Sequence, residues 1–440
     1  MSSHRDAENP LDRALALSLE GDREGALRWA ASDVENDARS VVGLFVASRL
    51  LGDLGRREAA LDGLEGAVAR AIDSSNLPMA VAACRELERY GGASGPCLDE
   101  IARTFSNGSA RLERGPAEPP RLAAAAAGPA FPAALGGAAL LDRAEQAVRS
   151  SAAAARRRSG AKLAPEPLFS ALDAAGLRAL IDVLRVSFVG AGKWLIEQGT
   201  TGAEAYVLAR GEVEVQRARE DAGPPLRLAR LGAGALFGEM ALLSRALRAA
   251  SVVACRPSIV LVAQRDALDA VVARAPQVGV EFAAYCRHRM LENLVRTSSV
   301  LAAVRPEERA ALFRMFVART FEPSDRLLMQ GRESDGLFLI ASGQVMVVVD
   351  GVVDSTLVAE LGPGEVVGEI ALVLRRPANA DVIATQPTVA LHLPRERFLE
   401  LIKKHPKLLA QLYELAIKRD EETSTIVAQE AQDADELIIV

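Results

Sequence analysis

The sequence predicts a multidomain α and β protein: N-terminal α-helical hairpins, a disordered linker, and two β jelly-roll domains each with flanking helices. Three observations carry this. Apolar residues recur at helical spacing over the first hundred or so positions. A stretch rich in Ala, Gly and Pro follows, and beyond it short alternating segments punctuated by glycine run through one layout twice. The expected boundaries are 1–110 for the helices, 111–163 for the linker, 164–300 and 301–425 for the two rolls, and 426–440 for an acidic tail.

Composition narrows the function classes. Half the 440 residues are apolar and a quarter charged, as in ordinary soluble proteins, and the net charge of −6 argues against a general nucleic-acid binder. Cys84, Cys97, Cys255 and Cys286 form no C-x-x-C, so neither a zinc knuckle nor a disulfide framework is expected, and they read as small buried hydrophobes in a reducing compartment. His4, His288, His392 and His405 form no ligand-spaced cluster, so no metal is expected. The N-terminus MSSHRDAENP lacks a signal-peptide core, and Leu122–Leu141 is too weakly apolar for a membrane span. The expectation is a cytoplasmic protein.

In the helical region apolar residues recur at helical spacing in Leu15, Leu17 and Leu19, then in Val42, Leu44, Phe45, Leu50 and Leu51. GDREGAL at Gly21 and GRREAAL at Gly55 lie 34 residues apart, the period of a tetratricopeptide helix hairpin. A third copy does not follow on schedule. A small helical bundle and a tetratricopeptide-like platform that docks a partner therefore both stand. The next stretch, RGPAEPPRLAAAAAGPAFPAALGG, cannot bury enough apolar surface to order itself. A helix is expected after it, from Ala138 to Arg158 with Leu140, Leu141, Ala144 and Val148, ending in Arg156-Arg157-Arg158-Ser159-Gly160. By itself that basic run reads as solvated charge at a helix C-terminus.

The first roll is expected to start with an amphipathic helix in PLFSALDAAGLRALIDVL and to continue in strands broken at Gly190, Gly192, Gly199 and Gly211. Residues 237–252, FGEMALLSRALRAASV, suit a small anionic ligand. Gly238 allows close backbone approach, and a one-turn helix beginning there offers free N–H groups to a phosphate. Arg248 can fold back and grip two phosphate oxygens with its fork of donors. Glu239, acceptor-only when ionised, suits a sugar hydroxyl.

This stretch resembles the phosphate-binding cassette of cyclic-nucleotide-binding domains, as in cAMP-dependent protein kinase regulatory subunits and bacterial cAMP receptors. It matches F-G-E-L-A-L-(I/L), four variable residues usually ending in Pro, then R-(A/T)-A-(S/T)-V, departing at Leu247 where Pro is usual. The family's G-x(6)-Y-V-L-x-x-G is present as Gly199, Tyr206-Val207-Leu208 and Gly211. The resemblance implies a site of Gly238, Glu239, Met240, Ala241, Arg248, Ala249, Ala250 and Ser251. Gly238 and Met240 would give N–H groups to the cyclic phosphate, and Ala249 or Ala250 another. Arg248 would pair with the exocyclic oxygens, Glu239 would accept from the ribose 2′-OH, and Ser251 would place a hydroxyl near the phosphate. Thr directly after the Arg favours cGMP in the family; Ala249 stands there, so cAMP is the expected ligand. Tyr285, on the helix after the roll, reads either as a base-stacking residue or as an ordinary core aromatic. The resemblance also bears on the basic run: Arg156, Arg157 and Ser159 fit the R-R-x-S that occupies the cleft of a basophilic Ser/Thr kinase, although Gly160 replaces the usual apolar residue. A kinase is thus the candidate for an otherwise unidentified protein partner.

The second roll repeats the layout, with Gly331 and Gly343 each 132 residues after Gly199 and Gly211, and Glu369 130 after Glu239. Its cassette, VGEIALVLRRPANADV, keeps Gly368 and Glu369 but carries Ala378 in place of the Arg and Asp381 in place of the Ser/Thr. Losing the clamp and placing a carboxylate near the phosphate both oppose binding. The second roll is expected to keep the fold and lack the ligand. The whole reads as a cyclic-nucleotide sensor, with a ligand-independent scaffold as the alternative. Catalysis is not expected: GAGALFG and GPGEVVG miss the GxGxxG spacing, and no P-loop Lys motif appears. Nor does enough chain follow the second roll for a helix-turn-helix.

Overall fold

The computed structural model describes residues 9–113, 131–156, 160–218, 223–240, 242, 247–298, 305, 308, 312, 314–351 and 355–438. Its first elements are six helices: α1 (Pro10–Glu20), α2 (Arg23–Asn36), α3 (Val41–Asp53), α4 (Arg57–Asp73), α5 (Leu77–Arg89) and α6 (Ser94–Phe105). They pair as three hairpins. The turn of each holds a glycine with positive φ, at Gly21 (93°), Gly55 (89°) and Gly91 (78°), where a side chain would be strained. The third hairpin escapes the sequence repeat because its glycine comes 36 rather than 34 residues on and no Glu-Ala-Leu run follows it.

The helix expected from Ala138 to Arg158 is α7 (Gly137–Ala155), packed along α2 and α4. Leu140, Ala144, Val148 and Ala152 form its buried stripe at four-residue spacing. Close approach depends on glycine: a Cβ on Gly66 would lie 2.7 Å from Ala152 Cα, and one on Gly63 2.5 Å from Val148 Cγ1. Arg70 donates to the Ser151 carbonyl at 2.7 Å and to its hydroxyl at 2.8 Å. The small side chains of Ala144 and Ala152 let this helix sit near its neighbours.

After α8 (Ala174–Asp182) come eight strands: β1 (Arg185–Val189), β2 (Trp194–Ile196), β3 (Glu204–Arg210), β4 (Val213–Arg217), β5 (Leu226–Leu231), β6 (Leu236–Phe237), β7 (Ser251–Ala254) and β8 (Ser258–Gln264). They make two antiparallel four-stranded sheets, ordered β1-β8-β3-β6 and β2-β7-β4-β5. Ile196, Leu208, Val213, Phe237 and Val260 fill the space between them. Then follow α9 (Arg265–Arg274) and α10 (Pro276–Thr297).

The second roll repeats this with β9 (Val317–Phe321), β10 (Arg326–Leu328), β11 (Gly336–Ser342), β12 (Val345–Asp350), β13 (Ser355–Leu361), β14 (Val366–Val367), the one-turn α11 (Glu369–Val373), β15 (Asp381–Ala384) and β16 (Thr388–Pro394). Its sheets run β14-β11-β16-β9 and β10-β15-β12-β13, the same orders strand for strand. The chain ends in α12 (Arg395–Lys404) and α13 (Pro406–Ile438). The expected acidic tail is therefore mostly the continuation of α13, whose Leu408, Leu412 and Ala416 bury one face.

Two compact units divide the chain: Met1–Gln198, Ala203–Glu239 and Ala250–Tyr285 in one, and Gly199–Gly202, Met240–Ala249 and Cys286–Val440 in the other. The division falls within α10 rather than at residue 300, and the tip of the first cassette groups with the second unit. Met240 packs there against the cluster containing Met290, Leu294, Leu312 and Leu337. In the first unit the helices are joined to the roll, with α5 against β1 and β3. Phe45 stacks on Phe188 at 6.2 Å, the Arg49 guanidinium lies 4.0 Å from the same ring, and Asp12 binds Arg256 at 2.9 Å as well as Arg210.

Candidate functional site

The cassette backbone is set by glycine and by a pair of main-chain hydrogen bonds. Gly238 takes φ 78°, a left-handed turn that leads the chain from β6 to Met240, which has helical backbone. Downstream, Arg248 N–H donates to the Thr200 carbonyl, and Gly199 N–H to the Arg248 carbonyl, both at 2.9 Å. Arg248 is buried, and its guanidinium lies over Gly202, where a Cβ would meet Nε at 2.1 Å. Gly202 is thus a residue of this site that motif reading missed; its only signal was a glycine two positions before a strand. Ser251 Oγ accepts from Gln198 N–H at 2.9 Å, which ties down the start of β7.

Glu239 is buried, Met240 and Ala250 are half-buried, and Ala249 is exposed. Ala241 lies outside the described residues. Gly238, Glu239, Ala250 and Ser251 fall in the first unit, Met240, Arg248 and Ala249 in the second. Tyr285 is half-buried on α10.

The second cassette repeats the backbone and changes the side chains. Gly331 N–H donates to the Ala378 carbonyl and Ala378 N–H to the Arg332 carbonyl, both at 2.8 Å, so Ala378 occupies the turn that Arg248 occupies in the first copy. Gly368 takes φ 90°. Where the first roll has Gly202 the second has Ser334, whose hydroxyl donates to the Gly336 carbonyl at 2.6 Å. A small residue at 378 leaves room for a side chain at 334. Asp381, expected to oppose a phosphate, has two partners of its own. Its Oδ1 accepts from Gln330 N–H at 2.7 Å, the bond that Ser251 makes in the first roll, and its Oδ2 pairs with Arg326 at 2.9 Å.

Glu369 also has a partner that the motif did not announce. Arg419 of α13 donates to Glu369 Oε1 at 2.9 Å, to the Val366 carbonyl at 2.6 Å and to Glu365 Oε1 at 3.4 Å. Burial pushes the Glu369 carboxyl up and the Arg419 guanidinium pulls it back. No sequence signal could have found this pair, because its members are fifty positions apart on unrelated elements.

In the basic run, Arg156 follows the last turn of α7 and binds Asp62 at 2.9 Å and Glu65 at 3.3 Å on α4. Arg157 and Ser159 lie outside the described residues. Among the described residues no group of three or more His, Cys, Asp and Glu is placed to hold a metal ion, and no helix is long and apolar enough to cross a membrane.

Comparison with known proteins agrees with this geometry. The cyclic nucleotide-binding domain family matches residues 187–275 and 318–405, and the chain carries two such domains. It is 28% identical over 224 residues to a cAMP-dependent protein kinase type II regulatory subunit of Drosophila melanogaster, covering 51% of this chain and 56% of that one. It is 31% identical over 215 residues to a cGMP-dependent protein kinase of Caenorhabditis briggsae, covering 48% and 27%. The chain thus spans only about a quarter to a half of the length of these curated relatives. Among solved structures, the regulatory domain of Toxoplasma gondii protein kinase A crystallised with cAMP is 24% identical, covering 57% of this chain and 92% of that one. Its TM-score of 0.29 is too low to support any inference about arrangement.

Proposed function

We propose that the chain is a cyclic-nucleotide sensor that takes cAMP in its first roll and passes the occupancy on to a protein partner. The observation that supports this most is Arg248, buried on a turn held by two main-chain hydrogen bonds, with its guanidinium against a glycine that leaves it room. In this reading Arg248 grips the exocyclic phosphate oxygens and Glu239 accepts from the ribose 2′-OH. The N–H groups of Gly238, Met240 and Ala241, with those of Ala249 or Ala250, surround the phosphate. Ser251 acts through Gln198 rather than by touching the ligand. The relatives' printed names include both cAMP- and cGMP-dependent kinases; Ala249 in place of Thr favours cAMP.

The partner we propose is a Ser/Thr kinase that engages Arg156, Arg157 and Ser159. It must compete with Asp62 and Glu65 for Arg156. The cassette would pass on its occupancy through the helices that follow it in the chain. A ligand shifts this only if it binds one arrangement better than another. For the second roll a ligand-free structural role has specific support: its cassette arginine is absent and Glu369 is held by Arg419.

Calorimetric titration of cAMP and of cGMP into the full chain tests the proposal. One site per chain, with cAMP tighter, is the expected result. Two sites would show that the second roll also binds, and no heat or thermal shift with either nucleotide would leave the scaffold.

A further inference from the structure

The second roll holds a cavity of about 470 Å³ between its β10-β15-β12-β13 sheet and α13. This lies within the range of roughly 300–1,000 Å³ typical of small-molecule sites. Its wall is aliphatic, with Val347, Ala359, Leu361, Val367 and Val382 from the roll and Leu415 from the covering helix. Such a wall holds water poorly, because an ordered water needs two to four polar partners.

The polar groups around the cavity are engaged with one another. Arg419 serves Glu369, Glu365 and the Val366 carbonyl. Arg376 pairs with Asp420, Arg326 with Asp381, and Lys418 lies 3.7 Å from Glu422. Glu365, Glu369 and Glu422 outnumber Arg419 and Lys418 on the lining, so its formal charge is negative. Where the first cassette places a guanidinium, this one places the methyl group of Ala378. A phosphate entering would lose its hydration and meet only cations already paired with carboxylates.

Building on the reading that this roll does not take cyclic nucleotides, we propose that the cavity binds an uncharged, largely apolar small molecule. The body of the ligand lies against the aliphatic wall. A single hydroxyl or carbonyl group suits the end where Arg419 meets Glu369, since the paired charges there offer both a donor and an acceptor face.

The test uses the neutral fluorophore N-phenyl-1-naphthylamine, titrated into the full chain with saturating cAMP present to fill the first roll. The expected result is one saturable site per chain, unchanged by Arg248→Ala. Ala378→Phe should weaken it by about tenfold or more, or roughly 1.4 kcal/mol. Ala359→Met narrows the cavity from the opposite wall and should act in the same direction, with circular dichroism confirming that both variants fold. Absence of saturable fluorescence, or binding that survives both fillings, would overturn the proposal alone. Displacement of the probe by cAMP or cGMP in the Arg248→Ala chain would overturn it together with the reading that the second roll rejects nucleotides.

Discussion

The two rolls share a backbone and differ in what they offer a ligand. Gly199 and Gly331, Gly211 and Gly343, and Gly238 and Gly368 all take positive φ. The turn is closed by the same pair of main-chain bonds whether it carries Arg248 or Ala378. The hydroxyl of Ser251 and the carboxylate of Asp381 each cap the N–H of the residue before the conserved-conformation glycine, Gln198 and Gln330. The cassette fold is therefore a property of glycines and main-chain hydrogen bonds, while ligand choice resides in a few side chains that the fold does not need. The paired exchange of Gly202 and Arg248 for Ser334 and Ala378 makes the point: where the guanidinium is gone, the glycine it lay against is gone as well.

The largest way to break this comparison is to make the first roll resemble the second. Arg248→Ala should weaken cAMP binding by about 2–5 kcal/mol, the usual loss when one member of a desolvated charge pair is removed, with little change in Tm. Calorimetry reads the first and a thermal melt the second. The opposite exchange, Ala378→Arg with Ser334→Gly, should add a second cyclic-nucleotide site, read as a stoichiometry rising from one to two. The single Ala378→Arg change should fail, because Ser334 occupies the space.

A difference in pH response separates the units. Glu166, buried ahead of the first roll with its Oε1 unpartnered, has its carboxyl pushed by burial from 4.5 up to about 8. A raised carboxyl favours the folded state while protonated, so its contribution is fully present below about pH 4.5 and is lost as pH rises through about 8. Glu166→Gln should therefore stabilise the first unit by up to about 5 kcal/mol at pH 9 and hardly at all at pH 4.5. Hydrogen exchange in α8, measured across that range, reads the effect unit by unit. The smallest effect is expected from Asp381→Ser, which keeps a cap for Gln330 N–H and loses a pair whose Arg326 is about half exposed. A destabilisation of about 0.5–1 kcal/mol in urea denaturation would fit, and a much larger one would show that the carboxylate does more than cap.

Much of this molecule was readable before its structure. The rolls were, because their signals are local: alternating strands, glycines at positive-φ turns, and a sixteen-residue cassette whose chemistry is written in consecutive positions. The absence of the phosphate clamp at Ala378 was visible in the same way. The third helix hairpin was not, since its turn survives at Gly91 without the residues that marked the other two. Asp381 was legible as a residue but its partners were not, because Gln330 and Arg326 come from another part of the roll.

By itself, then, the sequence determined two rolls, one complete cassette and one without its arginine, for these follow from short-range backbone and side-chain chemistry. Only the tertiary structure decided that the helix of residues 137–155 seats on Gly63 and Gly66, that Arg156 is held by Asp62 and Glu65, and that Arg419 closes on Glu369. Each of those depends on side chains brought together from distant parts of the chain, where close packing and desolvation set the outcome and no local pattern records it.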